Sequence, residues 1–237
     1  MPQFICEEDL SCIDNFIFSK KESNHLKVFR VKLGDKIKVL DKKCDQYMAV
    51  IEKFENGFVY AKKIEKIEKE KPVITLKAYI PFIEKGEFEY AIKKATEIGC
   101  DFFSPLITQY VQKNHIFDLK EKMTRLNEII LSAVKQSERN TMAKILNPKN
   151  IMEIDFSKEK IIALSIVDYK GNKSSKISEI LNRFTNEISI LIGPEGGFSK
   201  SEMEFMKDKV FYASLGENIL RTETALIAAC SIIKALK

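Results

Sequence analysis

The spacing of hydrophobic residues changes once along the chain and divides it into two patterns. The first pattern has short segments rich in Val, Ile, Tyr and Phe, separated by Asp and Gly, at 36–41, 47–54 and 57–64. Such segments are typical of β-strands. A short helix is predicted over 23–30, with Ser23 as its N-cap. We therefore predict a small β-barrel over residues 1–71, of a size suited to binding a partner.

The second pattern begins after a charged stretch at 62–71 and Pro72, which we take as the domain boundary. Strand-like runs lie at 73–80, 102–107, 161–167, 188–193 and 210–215. Helix-period segments lie at 87–98, 118–138, 174–184, 200–206 and 224–236. Because strands alternate with helices, residues 72–237 are predicted to form an α/β domain with a parallel sheet.

A glycine-rich stretch, IGPEGGFSK, follows the predicted strand at 188–193. Gly196 and Gly197 allow a ligand to approach the main chain. Ser199 and Glu202 have the spacing of a capping box, so a helix is predicted to begin at Lys200. The stretch lacks the order of a phosphate-binding loop, and the carboxylate of Glu195 favours a neutral or cationic ligand. A purely structural turn is the alternative.

A second stretch of the same kind, SLGENILRTETALIAA, follows the predicted strand at 210–215. Gly216 ends that strand, and Thr222 is the predicted N-cap of the last helix. Arg221 and Glu223 flank the helix start. Because the carboxyl ends of parallel strands share one edge of a sheet, the two stretches are predicted to meet in one ligand site.

Composition and charge narrow the class of protein. The chain has 237 residues, a net charge of +5, five cysteines and two histidines. The mild positive charge permits RNA as a partner without requiring it. Unpaired cysteines and few histidines argue against a disulfide scaffold and against a structural zinc site, so no metal is predicted. No apolar run suits a membrane span, and the acidic start does not suit a signal peptide, so a cytoplasmic protein is expected.

The two C-terminal motifs, LIGPEGGFSKSE and LGENILRTETA, resemble those of the ribosomal RNA small subunit methyltransferase E family. Further similarity lies in HLKVFRVKLGD, in KKATEIG and in KQSERN, where Glu138 and Lys135 depart from the family pattern. The resemblance implies a SPOUT-type parallel sheet with a trefoil knot and an N-terminal PUA-like β-barrel. It also implies a homodimer that uses S-adenosylmethionine to methylate N3 of a uridine in 16S rRNA, with the rRNA or the small ribosomal subunit as partner.

The resemblance and the chemistry of the motifs together nominate site residues. The predicted cofactor-binding residues are Leu164, Gly193, Pro194, Glu195, Gly196, Gly197, Leu215, Gly216, Ile219, Leu220 and Thr224. The apolar members of this set have core packing as their alternative role. Arg221 is the first catalytic candidate, with a salt bridge to Glu223 or Glu195 as its alternative. Those two glutamates are candidate bases or orienting groups, and Glu223 has stabilisation of the helix start as a further alternative.

Candidate RNA contacts are basic residues of the N-terminal pattern together with one from the C-terminal pattern. They are Lys27, Arg30, Lys36 and Arg139. Surface lysines also serve solubility, so each has that alternative role. Two rival functions stay open: a related methyltransferase that acts on another RNA site, and a non-catalytic RNA-binding or ribosome-assembly factor of the same fold.

Overall fold

The computed structural model describes residues 3–68 and 73–237, which form two compact units. The first unit is the described part of Met1–Lys71 together with Val134–Met142, and the second is the described part of Pro72–Ala133 with Ala143–Lys237. The predicted boundary at 71/72 lies outside the described residues. The sequence pattern left Val134–Met142 in the second domain, whereas its contacts place it in the first unit.

The first unit is built on a five-stranded sheet in the order β1-β3-β4-β5-β2. The strands are β1 (Gln3–Ile5), β2 (Asn15–Ile17), β3 (Lys36–Leu40), β4 (Gln46–Glu55) and β5 (Phe58–Lys66). All neighbours are antiparallel except β1 and β3. The β4–β5 hairpin closes on Asn56 and Gly57, both with positive φ, as a two-residue hairpin turn requires. Three of these strands match the predicted ones.

The helix of the first unit, α1 (Lys20–Val28), starts earlier than predicted. Its N-cap is Ser19, which accepts a hydrogen bond from the Glu22 amide, so the prediction of Ser23 was wrong. Ser23 is buried instead. Its hydroxyl donates to the Phe18 carbonyl at 3.1 Å and accepts from the Val59 amide at 3.0 Å, which ties α1 to β5.

The second unit contains an eight-stranded sheet whose strand pairs are all parallel, which confirms the α/β prediction. Seven strands follow the order β11-β13-β10-β12-β6-β7-β8, and β9 pairs with β7. They are β6 (Thr75–Pro81), β7 (Phe102–Ile107), β8 (Lys144–Ile145), β9 (Lys149–Asn150), β10 (Ile161–Leu164), β11 (Ser175–Lys176), β12 (Glu187–Ile192) and β13 (Phe211–Ser214). The order places the ends of β13, β10 and β12 side by side.

The helices of the second unit follow the predicted periodicity except at 174–184. They are α2 (Lys85–Ile98), α3 (Leu119–Gln136), α4 (Ile177–Ile180), α5 (Lys200–Met206) and α6 (Thr222–Leu236). Short 3₁₀ turns lie at Lys113–His115, Ile151–Glu153 and Leu181–Arg183. The helix predicted over 174–184 is therefore one α-helical turn and a 3₁₀ turn. The predicted strand at 161–167 ends at Leu164, and 165–167 belong to a loop.

Apolar burial accounts for the position of α6. The helix contacts α2, α4, β6 and β12, and it buries Leu226, Ala229, Cys230 and Ile233 completely. Its last residues are exposed, so the helix is buried along one side only. The strand β12 is buried at every position after Glu187, as expected for a central strand of a parallel sheet. None of the described helices combines the length and the apolar character that a bilayer crossing requires.

Candidate active site

The carboxyl ends of β10, β12 and β13 enclose a cavity of about 810 Å³. Its lining residues are drawn from 164–171, 192–204 and 213–225, so each of the three strands contributes the loop that follows it. This edge of a parallel sheet is where ligands commonly bind in α/β proteins. The volume lies in the range of small-molecule sites, which are mostly apolar with a few polar groups.

The first wall is the glycine-rich loop that follows β12. A tight turn closes where the Gly197 amide donates to the Pro194 carbonyl at 2.8 Å. Gly197 has φ +68°, a conformation that favours glycine, and it lines the cavity. The turn therefore presents main chain to a ligand, as the sequence predicted for this loop.

The helix α5 begins directly after this loop and fixes its end. The Ser199 amide donates to Glu202 Oε2 at 2.8 Å, and the Glu202 amide donates to Ser199 Oγ at 3.3 Å. The predicted capping box is therefore present. Both side chains are almost fully buried, so solvent hardly reaches the hydrogen bonds that hold the end of the loop.

The second wall is the segment between β13 and α6. Thr222 was predicted to cap α6, and this was wrong: Arg221 is the N-cap, with extended φ −64° and ψ 157°, and its carbonyl accepts the Ala225 amide at 2.8 Å. The Thr222 hydroxyl instead donates to the Gly193 carbonyl at 3.0 Å. The bond runs from one site loop to the other, so the two motifs meet as predicted.

The third wall, which follows β10, was not predicted beyond Leu164. It is an Asp168–Gly171 turn in which Asp168 Oδ1 accepts the amides of Lys170 and Asn172, both at 2.8 Å. Desolvation opposes ionisation of Asp168, but the bonds from Asn172 and Lys170 outweigh it and lower its pKa. The D-x-x-G spacing after an apolar run was the available signal for this turn.

The cavity gathers most of the predicted cofactor-binding residues. Those on its lining are Leu164, Gly193, Pro194, Glu195, Gly197, Leu215, Ile219 and Leu220. Gly196, Gly216 and Thr224 do not line it. Lining residues that sequence reasoning missed include Ser165, Ile166, Val167, Asp168, Tyr169, Phe198, Lys200, Met203, Ser214, Asn218, Thr222 and Ala225.

The three catalytic candidates occupy different settings. Glu195 is exposed and lines the cavity, and Arg221 is exposed between the lining residues Leu220 and Thr222. Glu223 is buried, with 9% of its surface exposed, in the first turn of α6. Within the described residues no ion pair joins Arg221 to either glutamate. The guanidinium is therefore available to a ligand.

Replacing Thr222 with valine should separate the two walls without changing side-chain shape. We expect a loss of about 1 kcal/mol of folding stability, because the Gly193 carbonyl loses its donor. Thermal denaturation measures this loss, and calorimetry should show weaker ligand binding at the cavity. Thr124→Val, at an exposed position of α3 outside the cavity lining, is the matched control and should change neither quantity. Equal behaviour of the two variants would contradict the role given to Thr222.

The four candidate RNA contacts all fall in the first unit. Lys27, Arg30 and Lys36 are exposed, although Lys27 Nζ donates to the Gly57 carbonyl at 3.1 Å. Arg139 is half-buried, and its Nη2 donates to Thr141 Oγ1 at 2.9 Å. Three of the four side chains are thus exposed to solvent, whereas the Arg139 side chain is half-buried and bonds to Thr141.

Comparison with known proteins places the chain among RNA-modifying enzymes. The family model of the RNA methyltransferase domain matches residues 69–234. Ribosomal RNA small subunit methyltransferase E 2 of Borreliella burgdorferi is 31% identical, with 100% of this chain and 98% of that protein covered. Ribosomal RNA small subunit methyltransferase E of Buchnera aphidicola subsp. Acyrthosiphon pisum is 30% identical, with 100% and 94% covered.

A solved structure extends the similarity to the whole fold. Ribosomal RNA small subunit methyltransferase E from Neisseria gonorrhoeae, bound to S-adenosyl methionine, is 26% identical and superposes with a TM-score of 0.82. The match covers 100% of this chain and 98% of that one. Both compact units therefore have counterparts in one solved protein.

Proposed function

The chain belongs to the RNA methyltransferase family that includes ribosomal RNA small subunit methyltransferase E, and from this premise we propose that it methylates N3 of a uridine in 16S rRNA, with S-adenosylmethionine as methyl donor. The resemblance identified from the two C-terminal motifs is thereby confirmed. The observation that carries the proposal is the cavity at the ends of β10, β12 and β13, where both motifs meet.

The lining of this cavity fits S-adenosylmethionine. Its apolar residues, among them Leu164, Leu215 and Leu220, suit an adenine ring, and the open main chain at Gly193 and Gly197 suits the polar edge of that ring. Glu195 adds a negative charge, which complements a sulfonium cation. When bound, this molecule supplies an electrophilic methyl group.

The acceptor sets the remaining chemical requirements. Uracil N3 carries a proton at neutral pH, so the protein must remove that proton and stabilise the negative charge that spreads to the two carbonyl oxygens. Arg221, exposed beside the cavity, is the group proposed to pair with that charge. Glu195 and Glu223 are the candidate bases, and Glu195 alone of the two lines the cavity.

The proposal extends to the fold of each unit and to assembly. The first unit is proposed to be a PUA-like barrel that binds RNA through Lys27, Arg30 and Lys36, with Arg139 in support. A trefoil knot is proposed from the resemblance to the family, and the path from β12 past β10 to β13, with α6 packed on β12 and β6, accords with it.

A homodimer and a cytoplasmic location complete the proposal. Ile219 and Leu220 lie 89% and 37% exposed at the rim of the cavity, so a second copy of the chain would shield apolar surface there. An enzyme that modifies ribosomal RNA would act in the cytoplasm, where ribosomes are assembled.

Two measurements test the proposed function. S-adenosylmethionine at a hundred times its Kd should stabilise the protein by about 2.7 kcal/mol in thermal denaturation. With labelled S-adenosylmethionine as donor, the purified protein should transfer a methyl group to small subunits from a strain that lacks the protein. Mass spectrometry of the digested rRNA should then find N3-methyluridine. Stabilisation without transfer, or no stabilisation, favours a non-catalytic RNA-binding factor. Transfer to another atom or RNA favours the related methyltransferase.

A further inference from the structure

An exposed tyrosine lies against the glycine-rich loop at Gly196. Tyr110 belongs to the loop after β7, at the same sheet edge as the active site, and 47% of its surface is exposed. A Cβ placed on Gly196 would lie 3.1 Å from Tyr110 Cβ and 3.4 Å from its Cγ. The absence of a side chain at residue 196 is therefore what lets this ring approach the loop.

A buried carboxylate holds the two loops together. Glu202, 4% exposed, accepts the Gln109 amide at Oε1 (2.7 Å) and the Ser199 amide at Oε2 (2.8 Å). Gln109 directly precedes Tyr110, and Ser199 ends the glycine-rich loop. Hydrogen bonds donated by main-chain amides to a buried carboxylate are strong and well oriented. The backbone that carries Tyr110 is thus anchored to the loop that lines the cavity.

Apart from its approach to Gly196, the Tyr110 ring has no partner in the described part of the chain. Among residues 3–68 and 73–237, nothing hydrogen-bonds to its hydroxyl, and no second ring or cation packs on it. Two exposed lysines belong to the adjoining segments: Lys113, three residues farther along the same loop, and Lys200, which lines the cavity. An exposed ring at this sheet edge, with exposed lysines in the adjoining segments, suits a nucleotide, since rings stack on bases and lysines contact phosphates.

We infer that Tyr110 is a stacking platform for a base of the substrate RNA at the active-site edge, positioned there by Glu202. The inference rests on the proposed function and adds to it a residue on the RNA side of the site. Stacking uses the face of the ring and does not need the hydroxyl. Phenylalanine should therefore replace Tyr110, and alanine should not.

The test compares Tyr110→Ala, Tyr110→Phe and Tyr90→Ala in methyl transfer to small ribosomal subunits. Tyr90, on α2, is 50% exposed and is the matched control. We expect Tyr110→Ala to lower kcat/KM for RNA by about tenfold or more, as loss of one stacked base implies. The loss should appear as a higher KM for RNA, with affinity for S-adenosylmethionine unchanged in calorimetry. Tyr110→Phe and Tyr90→Ala should keep the wild-type values.

Three outcomes would overturn the inference: an unchanged kcat/KM in Tyr110→Ala, an equal loss in Tyr110→Phe, or a parallel loss of S-adenosylmethionine affinity, which would make the ring a support for the glycine-rich loop. These outcomes differ from failure of the proposed function, in which the wild-type protein itself transfers no methyl group.

Discussion

Replacement of Gly197 by valine is expected to abolish S-adenosylmethionine binding while the protein stays folded. Gly197 has φ +68° and lines the cavity, and nothing lies within 4 Å of the position that a Cβ would take. A β-branched residue in this conformation is strained by roughly 1–2 kcal/mol. The space next to the glycine belongs to the cavity proposed for the ligand, so the two methyl groups of valine should compete with it directly.

Gly34→Val is the control that separates two effects of the Gly197→Val change, namely the strain in the backbone and the loss of space in the cavity. Gly34 also has positive φ (+82°) with nothing within 4 Å, but it lies in the first unit. Both variants should melt at lower temperature by similar amounts. Calorimetry should show an S-adenosylmethionine affinity reduced by about a hundredfold or more in Gly197→Val and unchanged in Gly34→Val. Native affinity in Gly197→Val would remove this loop from the binding site.

Periodicity predicted the local elements because they depend on local rules. The segment at 102–107 is a short run whose four central residues are all buried, as in a strand of a parallel sheet, and it is β7. The Ser199–Glu202 spacing predicted the start of α5, because a capping box needs only neighbours in sequence. The hairpin turn at Asn56 and Gly57 also depends on local rules, because both residues adopt the positive φ that this turn requires. For such features, sequence and structure agree within one or two residues.

Features that depend on distant partners were not predicted. A hydroxyl at a helix start can cap that helix or bond elsewhere, and the Thr222 hydroxyl bonds to Gly193, 29 residues away. Ser23 behaves similarly, with its hydroxyl shared between Phe18 and Val59. β1 has only three residues and pairs with β3 across more than thirty positions. In each case tertiary contact overrides the local preference.

The walls of the candidate active site likewise divide into those that the sequence predicted and one that it did not. The two walls with sequence motifs were predicted, whereas the wall at 165–171 has no glycine pair and continues an apolar run. Its turn forms because Asp168 accepts the Lys170 and Asn172 amides, while β10 already ends at Leu164. The grouping of Val134–Met142 with the first unit also involves distant partners, since Lys135 Nζ lies 2.6 Å from Glu22 Oε2.

Replacement of Arg221 by alanine is expected to lower kcat by a factor of about 10² to 10³, the usual effect of removing one donor that stabilises developing negative charge. The fold should survive, because Arg221 caps α6 through its backbone and makes no side-chain capping bond. Affinity for S-adenosylmethionine should stay near the wild-type value, since Arg221 does not line the cavity. Arg221→Lys should recover only part of the rate, because an ammonium lacks the planar fork of the guanidinium.

Arg125→Ala is the matched control for this prediction. Arg125 is an exposed arginine on α3 whose Nε lies 3.3 Å from Glu89, and loss of such a surface pair has little effect. Single-turnover methyl transfer with saturating RNA isolates the chemical step from RNA binding. A loss confined to KM for RNA would make Arg221 a phosphate contact, and an unchanged rate would remove it from the site. A loss in the chemical step alone, with Arg125→Ala unaffected, assigns the guanidinium to the charge that develops on uracil.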